Sequence, residues 1–169
     1  MKKLVLVFAM IFATMTFAQT NLSKSDVATS QGTYVLGLNA TNIGFTNVEK
    51  DTKFGVGLNL GAFVQDRLAL VGKVGYGSSH FEGLNTNNWT YGAGVKYYLA
   101  GILPLQVDWN GATGNSYKPS ASYVGTQVGF ALFPFDNFSV EPRVRYDIST
   151  QKQNYPNVFS GGLDFNLFF

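Results

Sequence analysis

Ser78, His80 and Glu82 are spaced so that they could act together in catalysis. Residues two apart on an extended strand point to the same side, and a serine, a histidine and a carboxylate are the groups of a nucleophilic triad. His80 is the only histidine and the chain has no cysteine, so neither a metal site nor any other cofactor site is predicted. We expect His80 to be a solvated residue at the start of a loop. Catalysis by Ser78 and His80 is the alternative hypothesis.

Eight charged residues form a second group that could have a chemical role. They fall at alternate positions within stretches of apolar side chains, and four are basic and four acidic: Lys73, Lys96, Arg143, Arg145, Asp108, Glu141, Asp147 and Asp164. Because an unpaired buried charge is costly, the equal numbers of both signs predict a neutral, hydrogen-bonded network.

Glycine pairs with the spacing Gly-x-Gly are a third feature, and they occur at Gly55 and Gly57, Gly75 and Gly77, and Gly92 and Gly94. A phosphate-binding loop would need a helix directly after the glycines. The sequence predicts none there, so we interpret these glycines as small residues that relieve crowding on one face of a strand.

The elements that must position these groups are eight stretches in which apolar and polar side chains alternate, the pattern of a strand with one apolar face. They cover residues 33–41, 52–64, 68–77, 88–99, 103–110, 121–133, 138–149 and 158–169. The first loses its alternation after Ala40. In the seventh, Pro142 removes a ladder hydrogen bond, and we expect a bulge there.

Composition indicates which face points outward. Charged residues make up 13% of the chain, about half of the ~25% typical of soluble domains. A soluble lipocalin-type barrel would place its apolar face inside and its charges outside. The stretch 158–169 is longer than the ~9–11 tilted residues that cross a bilayer, and strands cross lipid only in closed barrels. The sequence therefore predicts an all-β, closed, eight-stranded antiparallel up-and-down transmembrane barrel with its charges inside.

The connections between the stretches alternate in length. Those at 65–67, 100–102 and 134–137 are short, and those at 42–51, 78–87, 111–120 and 150–157 are long. Short turns on one side and long loops on the other are typical of membrane barrels. Outward-facing aromatic residues near both ends predict two girdles, with Phe54, Tyr76, Trp89, Tyr91, Trp109, Tyr146 and Phe159 beside the long loops and Tyr34, Tyr97, Phe138 and Phe169 at the other end.

The start of the chain is predicted to be a secretory signal peptide, residues 1–18. Lys2 and Lys3 precede an apolar run over 4–13, and small residues before Gln19 suit cleavage. Residues 19–31 are predicted to be a short polar tail, and residues 32–169 the barrel domain. Without the leader the chain has ten basic and ten acidic residues, so a nucleic-acid partner is not predicted.

Two motifs carry a resemblance to a known family. The chain ends in an alternating strand with Phe165, Leu167 and Phe169 on one face, and residues 133–138 read Phe-Pro-Phe-Asp-Asn-Phe across a short turn. The chain after the leader resembles the small eight-stranded outer-membrane β-barrels of the OmpA and OmpX type, porin-like proteins of Gram-negative bacteria.

The resemblance implies a bacterial outer-membrane location with lipid around the barrel. It also implies that the barrel-assembly machinery recognises Phe165, Leu167 and Phe169. Family members serve mainly in envelope integrity and surface interaction, so we expect a monomer with a structural or surface-interaction role, no enzymatic activity and no cofactor, and a loop partner that the sequence does not identify. An eight-stranded barrel is only wide enough for its side chains, so no open pore is expected. The alternatives are a lipid-modifying enzyme that uses Ser78 and His80 and a narrow porin-like channel in which the inward charges conduct protons or ions.

Overall fold

The structure, a computed structural model, describes residues 24–46, 51–81, 84–115, 117–151 and 155–169. These residues form a short helix over 24–28 and nine strands. The strands are β1 (Tyr34–Thr46), β2 (Asp51–Gln65), β3 (Leu68–Phe81), β4 (Leu84–Leu99), β5 (Leu103–Gly114), β6 (Tyr117–Gly129), β7 (Leu132–Phe135), β8 (Phe138–Ser149) and β9 (Val158–Phe168). No helix in the described part of the chain has the length and apolar character needed to cross a membrane.

The strands close into an antiparallel ring. Each strand from β1 to β6 pairs with the next, β8 pairs with both β6 and β9, and β9 pairs with β1. The four-residue β7 pairs with the start of β8 and continues the line of β6 after a break at Phe130 and Ala131. β6 and β7 therefore share one position, and the ring has eight positions. This closed eight-stranded antiparallel barrel confirms the predicted fold class.

The break between β6 and β7 lies beside Pro142. Pro142 pairs with Leu163 of β9 in continuous register, so the bulge predicted in this strand is wrong. The backbone of Pro142 points to its other neighbour, where its carbonyl accepts a hydrogen bond from the Phe130 amide (3.0 Å). Proline has no N–H to give in return, so the ladder stops there. The Ala131 amide faces the opposite neighbour and bonds to the Ile102 carbonyl, just before β5 (2.7 Å).

Three of the four connections predicted to be long are short, because the strands extend further than the alternating pattern does. The end of one strand and the start of the next are Thr46 and Asp51 for β1 and β2, Phe81 and Leu84 for β3 and β4, and Gly114 and Tyr117 for β5 and β6. Backbone hydrogen bonds hold these polar segments, and such bonds do not require alternating side chains. Residues 150–157 remain a connection of the predicted length. A register shift between Thr41 and Gly44 accounts for the alternation that is lost after Ala40.

Large apolar side chains cover the outer face of the barrel. The exposed ones include Leu38, Leu60, Leu70, Val107, Val124, Val144, Leu163 and Phe165. The inner parity carries the charges, and Arg143 and Arg145 are buried inside. The barrel therefore has its apolar face outside and its charges inside, the reverse of a soluble lipocalin-type barrel.

Aromatic rings gather on this outer face near both ends of the strands. Tyr76 and Trp89 make an edge contact with ring centroids 5.1 Å apart on the side of residues 150–157. At the short-turn end, Tyr34 stacks on Phe169 at 6.3 Å. The side chain of Phe54, predicted for the first group, lies outside the described residues. The positions of the described rings fit the predicted girdles.

Candidate functional site

β8 contributes half of the eight charges to the lumen, one at every second residue. They are Glu141, Arg143, Arg145 and Asp147. Because alternate residues of a strand share a face, all four side chains point inward. Their partners on other strands come from β4, β5 and β9, so β8 contacts the polar side chains of three other strands. The eight charges form three groups, and each group contains as many positive as negative charges.

The first group surrounds Asp108 of β5. Arg145 donates two hydrogen bonds to the Asp108 carboxylate, from Nη1 at 2.8 Å and Nη2 at 2.6 Å. Nζ of Lys73 lies 2.8 Å from the same carboxylate, and Gln106 donates to it through Nε2. Arg145 also binds Asp147 through Nε at 2.9 Å. Lys73 is on β3, four positions around the ring from β8, so this group joins opposite walls of the barrel.

The second group is the pair of Arg143 and Asp164. Arg143 Nε donates to the Asp164 carboxylate at 2.7 Å, and Gln127 Nε2 donates to the other carboxylate oxygen at 3.2 Å. The side chain of Arg143 is 3% exposed. Its Nη1 is buried without a hydrogen-bond partner among the described residues. A buried guanidinium N–H without an acceptor is costly, so an acceptor beside this atom would be favourable.

The third group centres on Glu141, which is fully buried. Lys96 Nζ lies 2.5 Å from Glu141 Oε2. The hydroxyls of Tyr98 and Ser139 both donate to Oε1, at 2.8 and 2.9 Å. Asn166 in turn donates to the Ser139 hydroxyl at 3.2 Å. Both carboxylate oxygens are therefore satisfied, as a charge in a narrow interior requires.

Below this group, at the short-turn end, the lumen is filled by apolar side chains. Phe168 lies at the centre, with ring centroids 6.2 Å from Phe63, 6.4 Å from Tyr98 and 5.7 Å from Phe133. The buried cluster also contains Ala28, Val35, Ala69, Val71 and Ala131. We call these nine residues the apolar plug.

The apolar plug departs from the prediction that the inner face carries only polar or small side chains. A usable signal was present. Phe63, Tyr98 and Phe133 are aromatic residues on the inner parity, and each lies within two residues of a short connection. Side chains that fill a small barrel at one end produce this pattern.

Residues 24–33 cover the plugged end from outside. Thr29 is fully buried, and its backbone carbonyl accepts a hydrogen bond from the Arg67 amide at 2.7 Å. Asp26 binds Arg67 Nη2 at 2.6 Å, and this hydrogen bond and the opposite charge raise the pKa of Arg67 above its usual value. Lys24 reaches the backbone carbonyl of Pro134 at 3.1 Å.

The predicted polar tail, residues 19–31, is therefore docked against the barrel over its described part, and residues 19–23 lie outside the described residues. A helix of five residues is too short to show a periodic pattern in the sequence. Gly101, at φ +76°, lets the helix approach, because a Cβ at this position would lie 2.3 Å from Ser25 Oγ. The helix thus contacts all three of the short connections.

The other half of the lumen contains a cavity of about 460 Å³. Its lining includes polar side chains of β1 to β6, β8 and β9, together with Lys73, Arg143 and Arg145. Tyr123 also lines it and packs with Ala112, Ala121 and Tyr155. The lumen is therefore filled at one end and hollow at the other.

Ser78 lines this cavity. His80 is part of β3, where it pairs with Thr52 and Asn85, and is not in a loop as predicted. The His80 side chain and Glu82 lie outside the described residues. Among the described residues, the structure contains no cluster of three or more His, Asp or Glu side chains that could hold a metal ion.

Phe165, Leu167 and Phe169 all point outward from the end of β9. β9 closes the ring by pairing with both β8 and β1. The structure thus places the predicted assembly residues on the exposed face of the closing strand.

A closed eight-stranded barrel with an apolar exterior defines the structural class, and solved structures share it. The chain is similar to the Yersinia pestis outer membrane protein Ail in a phospholipid bilayer nanodisc, with a TM-score of 0.57 and 13% identity over 82% of this chain and 100% of that one. It is also similar to the N-terminal β-barrel domain of Pseudomonas aeruginosa OprF, with a TM-score of 0.52 and 13% identity over 82% and 98% of the two chains.

Neisserial surface protein A gives a TM-score of 0.52 at 15% identity, over 82% of this chain and 96% of that one. At such identities the likeness shows the fold, which is that of small outer-membrane β-barrels. No protein-family model and no curated protein matches the sequence.

Proposed function

We propose that the chain is an integral β-barrel of the bacterial outer membrane, monomeric, with a structural or surface-interaction role. The observation that carries the proposal is the orientation of the two faces. Leu163 and Phe165 are exposed on the outside, whereas Arg143 and Arg145 are buried in the lumen. Arginine on the lipid side at mid-bilayer would cost ~2–4 kcal/mol. An outer face this apolar is unfavourable in water and favourable in lipid.

Cell fractionation with gel electrophoresis tests the location and the fold together. The chain should be found in the outer-membrane fraction, and it should run at different mobilities before and after boiling, because a closed barrel resists detergent at room temperature. Recovery in the soluble periplasmic fraction would contradict the proposal. Sedimentation in a phospholipid-like detergent would show whether the barrel is monomeric.

The apolar plug and the three ionic groups support a barrel without an open pore. Phe168 and its neighbours fill one end, and Arg145 and Lys73 meet at Asp108 across the middle. Planar-bilayer recordings should therefore show no steady conductance from the purified chain. Regular conductance steps would instead favour the narrow-channel alternative.

The absence of catalytic activity is part of the same proposal. Envelope fractions from cells that express the chain should show unchanged lipid A and phospholipid profiles, and His80→Ala should leave them unchanged. Lipid turnover that the chain causes and that His80→Ala removes would establish the enzymatic alternative.

We also propose that the barrel-assembly machinery recognises the outer face of β9. Phe165, Leu167 and Phe169 share this face, and β9 must pair on both edges to close the ring. Leu167→Ala and Phe169→Ala should each lower the amount of heat-modifiable barrel in cells. Phe135→Ala, a matched exposed phenylalanine at the same end, should not.

A further inference from the structure

The cavity in the hollow half of the lumen has the dimensions of a small-molecule site. Its volume of about 460 Å³ lies within the ~300–1,000 Å³ of typical ligand pockets. The apolar plug closes the lumen on the far side. Gly77, Ser78 and Asn88 line the cavity near the opposite rim and are partly exposed. A solute that occupies the cavity would therefore enter from the rim side, because the apolar plug blocks passage through the other end.

The wall of the cavity offers hydrogen bonds in both directions. Amides and hydroxyls line it, among them Asn39, Asn59, Asn88, Asn110, Thr90 and Ser160. Each of these side chains has both donor and acceptor capacity. Asn39 and Asn59 share only one such bond, at 3.0 Å. This wall suits a ligand that also donates and accepts at many positions.

Arg143 Nη1 provides a donor without an acceptor. The Arg143 side chain is only 3% exposed, and it lines the cavity. Nε is used by Asp164 at 2.7 Å, while Nη1 has no partner among the described residues. Because Nη1 is itself buried, a solute oxygen would remove this cost once the Arg143 side chain turns toward the cavity.

The balance of charge favours a neutral solute over an anion. Lys73 and Arg145 are neutralised by Asp108 and Asp147, and Arg143 by Asp164. An anion would add an uncompensated charge to a narrow interior, which is unfavourable. A hydroxyl can accept the hydrogen bond from Arg143 without adding charge.

Tyr123 gives the cavity an apolar surface beside the polar wall. It is 7% exposed and packs against Ala112 and Ala121. A tyrosine ring presents an apolar body with a polar tip. A solute with hydroxyls around a C–H framework would match both parts of the wall.

From this combination we infer that the cavity binds a small neutral polyhydroxylated solute, of the size of a mono- or disaccharide. Binding at the rim side of a closed lumen is retention and not transport. The inference goes beyond the proposed function, because a structural barrel needs no occupied lumen.

The test is a titration of the purified full chain in phospholipid nanodiscs, without sugar-headed detergents that would compete. Glucose and trehalose are the neutral probes, and gluconate is the anionic match of glucose. Calorimetry should show saturable one-to-one binding of at least one neutral sugar, and at least tenfold weaker binding of gluconate.

Two variants locate the binding. Ser160→Phe places a ring in the cavity and should abolish it, whereas Val144→Phe adds a ring on the outer face and should leave it unchanged. Arg143→Lys keeps the charge beside Asp164 but removes Nη1, and should weaken binding about tenfold or more, because a hydrogen bond from a charged donor is lost. Heat-modifiable mobility checks that each variant is folded. If Arg143→Lys does not fold, the comparison of Ser160→Phe with Val144→Phe still shows whether the sugar binds in the cavity.

Three results would overturn the inference. They are no saturable binding of either neutral sugar by the folded wild-type barrel, gluconate binding as tight as that of glucose, and equal weakening by Ser160→Phe and Val144→Phe. A barrel that passes the fractionation test and fails this one remains a structural barrel, so the two proposals are judged separately.

Discussion

The two halves of the lumen are held together by different kinds of interaction. At the short-turn end, Phe168 packs against three aromatic rings and a helix covers the opening. Toward the other end, Asp108 and Arg145 hold the walls by directional hydrogen bonds around a cavity of about 460 Å³. The same narrow cylinder is thus solid at one end and hollow at the other.

The difference shows how an eight-stranded barrel can keep internal space. Apolar side chains gain free energy by filling volume, so the plug leaves no room. Paired charges are satisfied by their partners at fixed distances, and they need not fill the volume beside them. The ionic groups therefore leave a cavity between the walls of the barrel, whereas the plug blocks the lumen at the opposite end.

The largest effect is expected at Asp108, the centre of the four-charge group. Asp108→Asn leaves Lys73 and Arg145 with Asp147 as their only carboxylate in this group, and breaking a buried ionic group costs about 3–5 kcal/mol. We expect the unfolding free energy to fall by an amount near the upper value. Urea unfolding of the barrel in lipid vesicles, monitored by heat-modifiable mobility, measures it.

Asp136→Asn is the matched control for Asp108. Asp136 has a side chain that is 77% exposed and lies 3.9 Å from Lys24, so its loss should cost no more than about 1 kcal/mol. Equal losses for the two variants would mean that the ionic groups do not hold the hollow half together.

Phe168→Ala tests the plug in the same assay. Removing a buried phenylalanine ring costs about 3–5 kcal/mol, and we expect a value near 3 because residues 24–33 can settle into part of the space. Phe135→Ala is the control, since Phe135 is 65% exposed at the same end. If both phenylalanines cost the same, the buried aromatic cluster is not what stabilises this end.

The sequence predicts the ring and the direction of its faces well, because alternation over eight stretches determines both. It predicts strand ends poorly. The ladder continues to Phe81 and Leu84 through polar residues, where backbone bonds replace the side-chain pattern. The docked helix over 24–28 could not be predicted from the sequence either, because a helix of about one turn shows no repeating apolar pattern.

The site divides in the same way. The alternation along one strand predicts that Arg143 and Arg145 point inward. It does not predict which residues across the ring they contact. Asp108 and Lys73 meet only because of the tilt and register of a closed barrel. The cavity depends on those contacts as well, so the sequence gives its polar character and not its position.

A smaller effect is expected from glycines that differ only in the face they occupy. At Gly94 an added Cβ would lie 2.3 Å from both Asp108 Cβ and the Val107 carbonyl oxygen, while at Gly72 it would meet nothing within 4 Å. Gly94→Ala should therefore cost about 1–3 kcal/mol of unfolding free energy. Gly72→Ala should be neutral or stabilise by up to about 1 kcal/mol. Similar effects of the two changes would show that the inner wall is less crowded than its contacts indicate.

The smallest effect is expected at Asp26, where the helix meets Arg67. The ion pair is short, at 2.6 Å, but both side chains are more than a third exposed, and exposed ion pairs contribute about 0–1 kcal/mol. The Thr29 carbonyl and the Phe63 carbonyl hold the same segment through backbone bonds of 2.7 and 2.9 Å. Asp26→Asn should therefore lower the unfolding free energy by less than about 1 kcal/mol, and high salt should shrink the difference further. A loss above about 2 kcal/mol that salt does not change would mean that this ion pair, and not the backbone, fastens the helix to the plugged end.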